Sequence, residues 1–85
     1  MTPAERRAAV ARTLGPLPAD VANCNVVQDA RWRRIDAHLS GVASVIARAD
    51  ADEAGWIAEV RRQKAEEDAR RAEVRAQFAW EAARG

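Results

Sequence analysis

From Trp32 the apolar residues fall at Trp32, Ile35, Leu39, Val42, Ile46 and Ala49. Steps of three and four alternate in this series, which marks a seam along one face of a helix. Directly after it, Asp50 and Glu53 stand three apart, the spacing of a capping box, which starts a new helix instead of continuing the old one. The pattern therefore predicts two long helices that fold back on each other. Ahead of them, Thr2, Pro3 and Glu5 set up an earlier helix: a threonine cap, a proline where no amide donor is needed, and a glutamate reaching back. That helix is expected over residues 3–14, because Gly15 ends it and Pro16 and Pro18 forbid its continuation. Residues 15–19 are left as a stiff corner.

Asn25 with Gln28 offers the box for the second helix, with Asp20 as an earlier alternative. The second helix is expected over residues 26–49, with Gly41 inside it at a cost of up to about 1 kcal/mol relative to alanine. The third is expected over residues 51–84. At about 1.5 Å per residue the third helix would be roughly 50 Å long and the second about 35 Å, so part of the third overhangs. The expected fold is all-α: a short N-terminal helix, then a long antiparallel helical hairpin of coiled-coil type. It forms a single domain that self-associates into an oligomeric bundle, with a dimer favoured.

The third helix carries two stripes. One holds Trp56, Ile57 and Val60, then the polar Lys64, Glu67 and Arg71, then Val74, Phe78 and Trp80. The other is alanine, at Ala58, Ala65, Ala69, Ala72, Ala76, Ala79 and Ala83, and small residues in that register permit close helix pairing. Ala65, Ala69, Ala72 and Ala76 are therefore expected to join Trp32, Ile35, Leu39, Val42 and Ile46 in the hairpin or oligomer seam. Val74, Phe78 and Trp80 have two readings. They are covered by the first helix through Val10, Leu14 and Leu17, or they form an exposed surface that anchors a protein partner.

Composition sharpens the need for a partner. Alanine occupies 21 of 85 positions, against eight valines, three leucines, three isoleucines, three tryptophans and one phenylalanine. A core built largely of methyl groups in so short a chain supplies only about 3–5 kcal/mol. The net charge is +1 with a pI near 8.0, and both signs are mixed along the chain, so no strong nonspecific attraction to DNA or anionic membrane is implied. Thirteen arginines beside one lysine fit a high-GC coding bias, hence a bacterial or phage-like origin. No apolar run reaches the roughly 18 residues that span a bilayer, and residues 2–7 lack the apolar stretch of a signal peptide. With Cys24 the only cysteine, a reducing cytoplasm is the expected location.

The chemical inventory is poor. His38 is the only histidine, there is no tyrosine, and along one helix Cys24 and His38 would be about 21 Å apart, too far for a nucleophile and its base. No catalytic residues, metal ligands or cofactor are expected, and the acidic runs Asp50, Asp52, Glu53 and Glu66, Glu67, Asp68 read as caps and solvated faces. The sharpest polar feature is Arg31, Arg33 and Arg34 around Trp32, a basic patch with an aromatic inside it. Its ordinary reading is surface charge, including an Asp29 with Arg33 pair. A helix-turn-helix over residues 42–59 would place Asp50, Ala51 and Asp52 in the turn and suits DNA poorly. Two functions follow: a small non-catalytic protein-binding regulator or inhibitor working through a helical-hairpin surface, and, as the alternative, a small nucleic-acid-binding transcriptional regulator using Arg31, Arg33 and Arg34.

Overall fold

Thr2 does cap the first helix. In a computed structural model describing residues 1–85, the Glu5 amide donates to Thr2 Oγ1 at 3.2 Å while the Thr2 amide reaches Glu5 Oε1 at 3.4 Å. Helix α1 spans Pro3–Leu14 and ends at Gly15, whose φ of 78° lies in the region that glycine adopts without strain. Two further helices follow, α2 over Asn25–Ser40 and α3 over Ala43–Arg84. The chain is all-α, 82% helical with no strand.

The second and third helices divide elsewhere than the sequence pattern predicts. Gly41 is the stop of α2 and not an interior glycine: it takes the left-handed conformation, φ 69° and ψ 7°, and its amide donates to the His38 carbonyl. The spacing from Trp32 to Ala49 runs straight across this break, so the seam is split between two helices. Trp32 and Val42 are exposed, Leu39 is at the margin, and only Ile35 of the set is fully buried. Asp50 and Glu53 cap nothing; they lie inside α3, where their carboxylates meet arginines of α2. A turn over residues 50–52 is thereby ruled out. Asn25 and Gln28 form no box either: Cys24 is the residue before α2, without a side-chain cap, and Gln28 Nε2 donates to the Ala22 carbonyl at 2.7 Å.

A Cβ added at Gly41 would meet nothing within 4 Å, so the cost of Gly41→Ala is purely that of the left-handed backbone, roughly 1–2 kcal/mol. The variant is expected to melt several degrees lower than the parent, as a circular dichroism melt at 222 nm would show.

Helix α2, at 16 residues, is about 24 Å long; α3, at 42 residues, is about 63 Å and sets the 69 Å long axis of the molecule. Only the first part of α3 is covered. The cross-helix partners step in opposite order along the two helices, from His38 with Asp50 to Arg31 with Glu53. Beyond them the corner after α1 continues the contact: the Asp20 carboxylate accepts from Arg61 Nε at 2.8 Å and Nη2 at 3.0 Å, and the Asp20 backbone carbonyl accepts from Lys64 Nζ at 2.7 Å.

Helix α1 lies on α2, with Ala4, Ala8 and Ala11 beside Trp32 and Ile35 and Arg7 3.6 Å from Asp36. It does not touch α3. Docking of Val10, Leu14 and Leu17 across the overhang is therefore replaced: Val10 and Leu14 neighbour His38 of α2. The interior holds Val21, Val27, Ala30, Ile35 and Ala37, and the only other buried residue is Glu53, 4% exposed. Five small or medium apolar side chains enclosing a carboxylate make a core that leans on charge pairing.

Candidate functional site

Arg31, Arg34 and His38 recur at three and four along α2 and so share one face. Glu53 lies opposite. Its carboxylate accepts from Arg31 Nε at 2.6 Å, Arg31 Nη2 at 3.0 Å and Arg34 Nη1 at 2.8 Å, a forked geometry that only a guanidinium supplies. Arg31 also donates through Nη1 to the Gly15 carbonyl, which ties the end of α1 to the α2–α3 contact. Arg34 Nε reaches Asp50 Oδ1 at 2.6 Å, and His38 Nε2 donates to the same oxygen at 2.8 Å. Outside this cluster, Arg33 pairs with Asp52 at 2.9 Å and not with Asp29.

Arg31, Arg33 and Arg34, the basic patch of the sequence, are thus matched one for one by Asp50, Asp52 and Glu53. The Arg34 guanidinium is held more firmly protonated, by the Asp50 hydrogen bond above all. The hydrogen bonds from His38 and then Arg34 hold the Asp50 carboxyl below the ordinary aspartate value, and Arg61 does the same for Asp20. A carboxyl whose folded pKa is depressed stabilises the fold above its unfolded pKa of about 3.9, and that contribution is lost as pH falls through the folded value. The melting temperature is therefore expected to drop as pH falls below about 4, when Asp50 and Asp20 protonate. Asp50→Asn should flatten part of that drop.

No three His, Cys, Asp or Glu side chains are grouped to hold a metal ion, and no helix is long and apolar enough to cross a membrane. Cys24 and His38 sit at opposite ends of α2, about 21 Å apart along the axis. Asp20, Asp50, Asp52, Glu53 and Arg61 carry polar contacts between elements far apart in sequence, which no local motif marks. The signal was present as spacing: Arg31 and Glu53 are ten residues before Gly41 and eleven after Val42, and Arg34 and Asp50 are seven before and eight after.

The second surface is the far part of α3. Glu53, which meets α2, and Lys64, which meets the corner, share a face with Ile57 and Val60 that continues without a phase break into Glu67, Arg71, Val74 and Phe78. Glu53, Ile57 and Val60 are buried or half-buried; Val74 is 50% and Phe78 66% exposed. Glu67 and Arg71 pair with each other at 2.6 Å. Trp80 does not share this face. Two residues past Phe78 on one unbroken helix, it points about 200° around the axis and flanks Ala76 and Ala83, with the Arg84 guanidinium 5.1 Å from its ring. The alanine stripe is exposed throughout, Ala58, Ala65, Ala69, Ala72 and Ala76 included, so it is not the face that α2 covers. No protein-family model, curated protein or solved structure matches this chain.

Proposed function

We propose that this protein is a small non-catalytic protein-binding module, a regulator or inhibitor that works by presenting the far part of α3. One observation carries the reading: the stripe that α2 and the corner cover between Glu53 and Lys64 runs on, in phase, to Val74 and Phe78, where nothing of the chain covers it. Large apolar side chains at three-four spacing on an otherwise solvated helix are the anchors by which helix-in-groove and helix-on-helix partners hold each other. The polar cluster at α2 adds support from the other side. His38, Asp50, Glu53, Arg31 and Arg34 are occupied with one another, which suits a scaffold more than a reacting centre or a phosphate site.

The experiment is capture from a source-cell extract by the immobilised protein and by its Val74→Asp, Phe78→Asp double variant. A partner held by the first and lost by the second supports the reading. Equal capture by both, or none by either, refutes it.

A further inference from the structure

Resting on that reading, we propose that the occupant of the Val74 and Phe78 face is the same segment of a second copy of this chain, laid antiparallel with Lys64 opposite Glu81 and Asp68 opposite Arg75. The face continues an interface the molecule already has: the three-four steps from Glu53 to Phe78 are one seam, of which α2 covers only the first part. A helix that replaces α2 along the remainder meets the same register, and α3 itself carries it.

The charges on the seam fix the direction. In a parallel pair in register, Lys64, Glu67, Arg71 and Glu81 would each face their own copy, four like-charge layers in the interface. Reversal removes all four. With the two-fold axis between residues 72 and 73, Lys64 meets Glu81 of the second copy, and Val74 lies on the aliphatic stem of its Arg71. Beside the seam, Asp68 of each chain meets Arg75 of the other. Sliding by one heptad toward the body places Asp68 on Asp68, and sliding away places Arg75 on Arg75. This single register therefore joins opposite charges and avoids like ones.

Three of the side chains it calls on, Asp68, Arg75 and Glu81, are free to respond, while Lys64 spends one donor on the Asp20 carbonyl and Arg71 pairs with Glu67 of its own helix. Asp68, Arg75 and Glu81 make no ion pair within the chain; Arg75 makes only a long 3.4 Å bond to the Arg71 carbonyl. Their neighbours Arg62 and Glu66, by contrast, are paired with each other. The paired residues run from 64 to 81, and the Asp20 corner that grips Arg61 and Lys64 meets only the last residues of the partner helix, Ala82–Gly85, which fall level with residues 60–63.

The test is sedimentation equilibrium across micromolar to several hundred micromolar protein, at about 50 mM salt so that surface pairs are not fully screened. The parent is expected to be a concentration-dependent dimer. Asp68→Arg and Arg75→Asp each turn two attractive contacts repulsive at once and should raise the dissociation constant about tenfold or more. Mixing the two variants should restore a one-to-one dimer, and the double variant carrying both changes should restore the homodimer, which also shows that neither change damages the fold. A parent that stays monomeric, or a dimer indifferent to the swaps, overturns the proposal; a dimer lost instead in Ala72→Glu would put the contact on the alanine face. Loss of self-association together with partner capture that still depends on Val74 and Phe78 would reject the second copy as occupant while keeping the protein-binding reading.

Discussion

Glu53→Ala is expected to destabilise the protein by about 3–5 kcal/mol, the cost of leaving a buried charge without its partner. Glu53 is the shared acceptor of Arg31 and Arg34, and all three are mostly buried, with side-chain exposures of 5%, 13% and 23%. Removing the carboxylate leaves two guanidinium groups facing each other with the nearest remaining acceptors at Asp50 and Gly15. Because Arg31 also holds the end of α1, the loss reaches all three helices. A core of five small or medium apolar residues gives little reserve, so the variant should show no cooperative thermal transition above about 25 °C, with reduced ellipticity at 222 nm. Replacing the whole triad by apolar residues, as in R31M/R34L/E53L, should recover much of the loss, since a buried ion network is commonly no more stable than the apolar groups that fill its volume. Parent-like melting of Glu53→Ala would mean that apolar packing alone closes the body.

The Val74→Asp, Phe78→Asp pair is expected to have the opposite profile: full helicity and unchanged melting of the body, with partner affinity lost. Both residues are exposed, so burying a carboxylate is not required in the free protein, and the change in helix propensity is a few tenths of a kcal/mol per residue. In the bound state each aspartate would replace an aromatic or aliphatic anchor, and anchors of that kind are worth about 2 kcal/mol or more apiece, hence roughly a thirtyfold loss in affinity for either change. Trp80→Ala alone should weaken the same contact far less, because Trp80 points away from Phe78 around the helix.

The helical class and the first helix were legible because their signals are local. Thr2, Pro3, Glu5 and Gly15 act within one turn of where they stand, and the structure uses each as the spacing predicts. The junction between α2 and α3 was not legible from local signals. Gly41 is followed by Val42, a poor cap, while Asp50 and Glu53 carry the stronger local signature and are claimed instead by arginines 16 and 22 residues away. Tertiary charge pairing overrode capping, which shifted the break eight residues toward the N-terminus and lengthened α3. For the same reason Arg31 and Arg34, two arginines of the basic patch, turn inward, while Arg33 stays half exposed beside Asp52. Side-chain size and spacing mark Val74 and Phe78 in the sequence, and both are exposed; Trp80 neighbours them in sequence, and helical rotation separates it.

The chain has a closed body, held by the Arg31, Arg34, Asp50 and Glu53 cluster, and an open helix beyond it. Far α3 is spared the cost of nucleation because it propagates from an anchored helix, yet only side-chain pairs such as Arg71 with Glu67 support it there. Amide hydrogen exchange at low micromolar protein, where the chain is dilute, tests this residue by residue. Slow exchange in α2 and in α3 as far as about Arg61, with fast exchange from Ala65 to Arg84, is the predicted result. Amides around Val74 and Phe78 as protected as that of Ile35 would contradict it.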